Sequence, residues 1–236
     1  MADEAIPAAT LIVVRDTAGA PELLMVERSE GMAFAAGALV FPGGRIDDAD
    51  RQVGGDSAAV AAIRETLEET AIPVGLAPAP GTQEARELQA SLLAEGNLAQ
   101  LLQEAGAELD VVALTPFARW VPKFHAVRRF DTMFFVARCP PGEWTPHVIE
   151  GECARACWIT AADALAEARL IFPTRRNLER LALHASFDAM RADAEAHPIE
   201  PITPWVEEFS GDKFVQIPDH LGYPVTRERL DTLWRG

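Results

Sequence analysis

The segment containing RETLEET, residues 64–70, can fold in few ways. Read as a helix at about 100° per residue, residues 58–72 place Val60, Ile63, Leu67 and Ala71 within an arc of roughly 80°. That apolar stripe has to pack on another layer of structure. Glu65, Glu68 and Glu69 fall within about 100° on the other side, with Arg64 between stripe and acids, where it could orient a carboxylate. Carboxylates at i,i+3 and i,i+4 repel by a few tenths of a kcal/mol per pair, and no lysine lies nearby to relieve them. Either the acids form a solvated face, or something positively charged belongs beside them.

The surrounding pattern supplies the other layer. Residues 8–14, AATLIVV, read as a buried strand, and the turn and strand in GAPELLMVERS make a hairpin with it. AGALVFPGGRI is a further strand stopped by Pro-Gly-Gly. DDADRQVGGDS reads as a polar loop, after which the helix begins near Ser57, an N-cap candidate, and ends near Ile72 because Pro73 follows. Residues 82–106 turn helical with a Gly-Asn break at 96 and 97; the segment is too short to bury a core of its own. DVVALTPFARWV and RRFDTMFFVARC read as strands, 161–168 and 174–196 as helices, and the proline-rich tail as irregular chain with one short strand. Mixed strands and helices without strict alternation predict an α+β or layered α/β/α fold. The expected organisation is a single domain over 1–236, with a helical insertion at about 80–108 and a C-terminal extension at about 174–236.

Charge narrows the function. With 21 Lys and Arg against 36 Asp and Glu, the net charge is 21 − 36 = −15. So acidic a body repels nucleic acids and anionic membranes, and an anionic substrate needs metal ions or an arginine cluster to approach. The hydrophobic fraction of 49% and charged fraction of 24% are those of a soluble globular protein. MADEAIPAAT has no basic n-region or apolar h-region, and no run reaches the length of a membrane span, so a cytoplasmic location is expected. Cys139, Cys153 and Cys157 have no zinc-site spacing and read as reduced, mostly buried thiols; a regulatory pair at 153 and 157 is the alternative.

FPGG ends a strand about twenty residues before the acids, and a Gly-Gly turn can expose its carbonyls to a ligand. Carboxylates with a backbone carbonyl form the oxygen-only ligand set of Mg²⁺ or Mn²⁺. The segment is neither a dinucleotide fingerprint nor a P-loop. Together, GGRIDDAD and RETLEETAI resemble the Nudix box, G-x5-E-x7-R-E-U-x-E-E-x-G-U, where U is a bulky apolar residue. The resemblance implies an α/β/α sandwich around a mixed sheet and cleavage of a diphosphate linkage in a nucleoside diphosphate joined to another moiety. It assigns Gly44 to the glycine position, Asp50 to the first acidic position, and Arg64, Glu65, Glu68 and Glu69 to R-E and E-E. By the same resemblance the three glutamates and the Gly44 carbonyl hold Mg²⁺ or Mn²⁺, and Arg64 holds the box together. The chain departs from the pattern in four ways. Asp50 replaces glutamate, six extra residues precede Arg64, Thr66 takes an apolar position, and Ala71 replaces the last glycine.

LMVERSEGMAFAAGALVFPGG also resembles the signature preceding the box in coenzyme A diphosphatases. Arg28, Ser29, Gly37 and Phe41–Gly44 keep its spacing, while Ala33 stands at its second arginine and Val26 at its threonine. The helical insert, TPFARWVPKFHAVRRFDTMFFVA, CWITAADAL and FPTRRNLERLA are similar to the larger Nudix proteins around the peroxisomal CoA diphosphatases of animals. Arg28, Arg45, Arg128 and Arg129 are the candidates for substrate phosphates, which arginine's planar fork suits. Glu152 is a candidate base or further ligand, with Glu150 its competitor; His125 could serve as a base, and Trp120 or Phe124 could stack on a nucleobase. Each has a structural alternative: solvated loop, ion pair or core packing. The expected function is divalent-metal-dependent hydrolysis of a diphosphate linkage in a nucleoside diphosphate joined to another moiety, with CoA or acyl-CoA as a candidate. The alternatives are an enzyme for ADP-ribose, NADH or dinucleoside polyphosphates, a noncatalytic nucleotide-binding Nudix module, and an acidic structural protein. The expected partner is a nucleoside diphosphate derivative, not nucleic acid or membrane, and a homodimer is left open.

Overall fold

A computed structural model of the chain describes residues 5–31, 35–122, 129–149, 151, 153–166 and 169–232. Strand β1 (Ile6–Arg15) is buried from Ala8 to Val14, a run apolar except for Thr10, as befits a strand covered on both faces. Its side chains alternate between two cores. Ala9, Leu11 and Val13 enter one, and Ile12 and Val14 the other. β2 (Glu22–Arg28) returns antiparallel to β1, with Val14 opposite Leu23. The strand expected through AGALVFPGGRI is two, β3 (Leu39–Val40) on β2 and β4 (Gly43–Arg45) on β1. Pro42 has no N–H for a ladder, and the chain crosses there from one partner to the other while the Pro42 carbonyl accepts from Leu11 N–H at 3.0 Å.

Residues expected as a polar loop contain a short helix, α1 (Asp48–Val53). Asp47 N–H donates to Asp50 Oδ2 at 2.8 Å, an acid three residues on that closes the helix start. α2 (Ser57–Thr70) follows, capped by Asp56 rather than Ser57: the Asp56 Oδ1 accepts from Ala58 N–H at 2.9 Å. It stops two residues before Ile72, with Ala71 left-handed at φ 55° and its N–H bonded to the Leu67 carbonyl. Ala71 thus takes the backbone conformation that favours glycine. β5 (Leu76–Ala77) pairs with β6 (Glu108–Leu109), and α3 (Thr82–Glu95) and α4 (Leu98–Ala105) lie between them. Leu92, Leu101 and Leu102 of this insert enter the same core as Val60, Ile63 and Leu67 of α2.

β7 (Thr115–Trp120) is shorter than expected, because Val111–Ala113 coil into a 3-10 turn. β8 (Phe130–Arg138) runs parallel to β1 from Ile6 to Val14 and antiparallel to β7. β9 (Cys153–Thr160) lies antiparallel on β2. α5 (Ala161–Ala166) precedes two helices, α6 (Phe172–Leu181) and α7 (Phe187–Ala196), where one was expected over 174–196. Ser186 starts the second by accepting from Ala189 N–H. The tail holds four strands instead of one: β10 (Pro201–Ile202), parallel to β7, and a separate antiparallel sheet of β11 (Trp205–Phe209), β12 (Asp212–Gln216) and β13 (Arg227–Arg229).

The mixed sheet runs β10-β7-β8-β1-β2-β3, with β4 also on β1 and β9 also on β2. α2, α3 and α4 cover one face; α5, α6 and α7 cover the other, where Phe117, Leu178, Leu181 and Met190 pack. This is the α/β/α arrangement that the α2 stripe demands. No helix among the described residues is long and apolar enough to cross a membrane.

Candidate metal centre

β4 lies on β1 with Thr10 opposite Gly43, Ala9 opposite Gly44 and Ala8 opposite Arg45. α2 crosses this strand, and its acids meet the two glycines. A Cβ on Gly43 would come within 2.5 Å of the Ala9 carbonyl oxygen, and one on Gly44 within 2.5 Å of Glu65 Cδ. Glycine is therefore required at 44 for the Glu65 carboxylate to lie on the backbone. Gly44→Ala should cost little by overpacking, because the clash falls on the flexible end of the Glu65 side chain, which has to swing off the backbone. It should also abolish any thermal stabilisation by Mn²⁺, as thermal unfolding with and without the ion would report.

Arg64 joins the pieces. Its side chain is 7% exposed and that of Asp50 2%. Nε donates to Asp50 Oδ1 at 2.9 Å and Nη2 to Asp50 Oδ2 at 3.0 Å, a bidentate pair. Nη2 also donates to the Arg45 carbonyl at 2.9 Å, while Nη1 reaches Glu68 at 2.8 Å and Glu65 at 3.0 Å. Burial opposes the Arg64 charge, but the Asp50 hydrogen bond and the neighbouring carboxylates outweigh it and hold its pKa above the usual value. α1, formed within the interval expected as a loop, presents Asp50 to the guanidinium.

The acids are neither a solvated face nor fully buried; Glu65 and Glu68 are each 17% exposed. Burial pushes the Glu65 carboxyl up to about 8, with Arg64 working against the shift and Glu69 and Glu68 adding to it. Burial likewise raises Glu68, against Arg64. Glu69 faces elsewhere. Its Oε2 accepts from Gly43 N–H at 3.0 Å, and its Oε1 from the Cys153 thiol at 3.2 Å. Among the described residues no three such side chains already converge as a ligand set. Glu65 and Glu68 turn to the nearest positive charge, Arg64, and Glu69 to β4 and β9. The donor chemistry nevertheless fits a hard divalent cation. The carboxylates lie on one helix turn against a Gly-Gly backbone, where burial, with like charge adding to it, raises the Glu65 pKa.

Other site candidates distribute as follows. Arg28 ends β2 opposite Cys153, Arg45 ends β4, and Arg129 precedes β8 with its carbonyl accepting from Ile6 N–H. Arg128, Glu150, Glu152, His125, Phe124 and Ala33 lie outside the described residues. Gly151 is tied to the end of β2 by Ser29, whose hydroxyl donates to its carbonyl at 2.7 Å. Trp120 does not present a stacking face: it is 1% exposed, edge-on to Phe172 and Tyr223, with its indole N–H on Asn177 and Tyr223. Gly37 is left-handed at φ 66°, and the Arg169 guanidinium, paired with Glu30, packs against the space a Cβ would need. Cys153 and Cys157 do not form a disulfide pair: four rises along the strand separate their Cα atoms by about 13 Å, beyond the roughly 7 Å a disulfide spans.

Two contacts have no signature in local sequence. One is Cys153 on Glu69, across 84 positions. The other is Gln89 of α3, fully buried, whose Nε2 donates to the carbonyls of Glu68 and His147, each at 2.9 Å, while its Oε1 faces His147 Nδ1 at 2.7 Å. His147 N–H donates in turn to the Thr70 carbonyl at 2.8 Å. The Glu68 and Thr70 carbonyls at the end of α2, where helical partners run out, are thereby held by the insert and by the chain leading to β9.

A mixed sheet between helical layers, with a Gly-Gly strand under an R-E…E-E helix, is the Nudix fold. The model of the NUDIX domain family matches residues 5–87. A NUDIX hydrolase from Alicyclobacillus acidocaldarius superposes with a TM-score of 0.70 at 28% identity, over 80% of this chain and 97% of that one. The NUDIX domain of Shewanella oneidensis NrtR, solved with ADP ribose, reaches 0.49 at 15% identity, over 75% of this chain and 86% of that one. The uncharacterized Nudix hydrolase NudL of Escherichia coli K12 is 47% identical over 53 residues, which are 22% of this chain and 25% of that protein. The chain thus matches about a quarter of the length of these curated relatives.

Proposed function

We propose that this chain is a divalent-metal-dependent hydrolase of a diphosphate linkage in a nucleoside diphosphate joined to another moiety, with CoA or acyl-CoA as the substrate class. The observation that carries the reading is the Arg64 knot, which fixes Asp50, Glu65, Glu68 and the Arg45 carbonyl around one guanidinium, with the Glu65 carboxylate against the bare backbone of Gly44. A structural acidic helix has no use for such an arrangement.

Glu65, Glu68 and Glu69, with the Gly44 carbonyl, would hold Mg²⁺ or Mn²⁺. The ion supplies neutralisation of the diphosphate and a water activated for attack at phosphorus. Arg64 keeps the acids on one side of α2, and Gly43 N–H orients Glu69. Arg28, Arg45 and Arg129 would take charge on the phosphate oxygens, acting where negative charge grows in the transition state. One of the three glutamates, or Glu152, would accept the proton from water. The CoA reading draws its support from the signature residues Arg28, Ser29, Gly37 and Phe41–Gly44.

A turnover panel with Mg²⁺ and with Mn²⁺, read by mass spectrometry, tests the proposal on CoA, acyl-CoA, ADP-ribose, NADH and diadenosine polyphosphates. The expected result is CoA cleaved to 4′-phosphopantetheine and 3′,5′-ADP. Cleavage of another member instead discards the CoA class and keeps the chemistry. Metal and nucleotide binding with no turnover would establish a binding module.

A further inference from the structure

We propose that Gln89 of α3 is a positioning residue for the reaction, holding the turn of α2 that carries Glu68 and Glu69 in the geometry a divalent cation needs; this rests on the metal reading above. α2 ends two residues after Glu68. In a continuing helix the Glu68 carbonyl would accept from Ile72 N–H, but that group donates to Thr70 Oγ1 at 3.3 Å instead. Gln89 Nε2 takes the place of the missing donor at 2.9 Å. The Thr70 carbonyl is served from outside the helix as well, by His147 N–H at 2.8 Å. The backbone on either side of Glu69 is therefore fixed by the insert and by the segment leading to β9, not by α2 itself.

The carboxamide has one orientation. Both Nε2 hydrogens go to carbonyls, those of Glu68 and His147, which can only accept. Oε1 is then the acceptor facing His147 Nδ1 at 2.7 Å, and that nitrogen bears the hydrogen. Gln89 thus clamps His147 by main chain and side chain together, and His147 returns the bond to α2. The amide is fully buried, away from bulk water. A buried carbonyl that loses its donor has to find another by moving. The residues that move with it are the proposed ligands at 68 and 69, whereas Glu65 lies a turn back within the helix. Arg64 orients the Glu68 side chain, and Gln89 sets the backbone from which that side chain springs.

The test compares wild type with Gln89→Met, which keeps the length and loses the amide. Gln83→Met is the control on the same helix, where the amide meets the exposed Glu87. Mn²⁺ binding to the folded proteins is followed by the electron paramagnetic resonance signal of the free ion, and turnover at limiting and saturating substrate. Gln89→Met should weaken Mn²⁺ by about 10-fold, the scale of losing a group that orients a metal ligand from behind. The substrate KM should hold as kcat falls, and Gln83→Met should match wild type. His147→Ala should weaken Mn²⁺ in the same direction, and His147→Asn should recover most of that loss, because the Asn Nδ2 stands where the imidazole Nδ1 donates. Combined with Gln89→Met, His147→Ala should add nothing further, since the two side chains act as one unit. The His147 variants carry the test if Gln89→Met does not fold. Unchanged Mn²⁺ affinity in folded Gln89→Met, or equal losses in His147→Ala and His147→Asn, overturns the inference alone. A wild type that takes up no Mn²⁺ overturns the metal reading and this inference with it.

Discussion

Arg64→Met destabilises the fold by about 3–5 kcal/mol, the cost of leaving a buried carboxylate without its partner. Asp50 is the group left behind: it is 2% exposed and both of its oxygens rest on the guanidinium. The same change removes the bond to the Arg45 carbonyl that fastens α2 to β4, and the cation shared by Glu65 and Glu68. Burial opposes the Arg64 charge, but the Asp50 hydrogen bond and the neighbouring acids outweigh it and hold its pKa above the ordinary value, so the guanidinium keeps its charge throughout the folding range. Adding Asp50→Asn to Arg64→Met should recover about 1–3 kcal/mol relative to the sum of the single changes, since the two side chains touch. Urea denaturation of the four proteins measures that difference. Strict additivity would mean that the pair is not the knot described here. Arg64→Lys should repair little, because a point charge cannot make the bidentate contact.

Glu68→Gln separates the fold from the chemistry. Gln still offers an oxygen to Arg64 Nη1, so the metal-free melting temperature should hold or rise slightly, as one of the charges that pushes Glu65 up is removed. In wild type, Mn²⁺ at a hundred times its Kd should stabilise the native state by about 2.7 kcal/mol. In Glu68→Gln that increment should vanish, and turnover should fall by about 10²–10³-fold, the scale of removing one group that stabilises transition-state charge. Differential scanning calorimetry with and without Mn²⁺, beside a rate assay, reads both. An active, normally folded Glu68→Gln protein would remove Glu68 from the site.

What was legible in the sequence follows from the range of the interactions. The α2 stripe, its acidic arc and the placement of Arg64 between them depend on spacing of three and four residues, which a helix fixes by itself. The Pro-Gly-Gly stop and the Gly-Asn break at 96 and 97 are equally local. α1 was masked by its composition: aspartates that read as loop are the capping pair Asp47 and Asp50. The break at Ser186 was masked by apolar residues on both sides, and the tail strands by prolines and by exposed side chains that give no alternation along β11. Gln89 and Cys153 were out of reach for a different reason. Each contacts a residue more than twenty positions away through one polar atom, and neither belongs to a spacing pattern.

Gln89 also bears on where this molecule can be divided. The segment recognisable as a NUDIX domain ends at residue 87, inside α3 and two residues short of the amide that holds the carbonyl of Glu68. A cut there would also discard β8, which runs beside β1 from Ile6 to Val14, and β9 with its thiol on Glu69. The recognisable stretch is therefore a label rather than a part that could be transplanted. The smallest portable version of the site reaches at least to β9, and the insert inside it is a brace that any minimised version would have to keep.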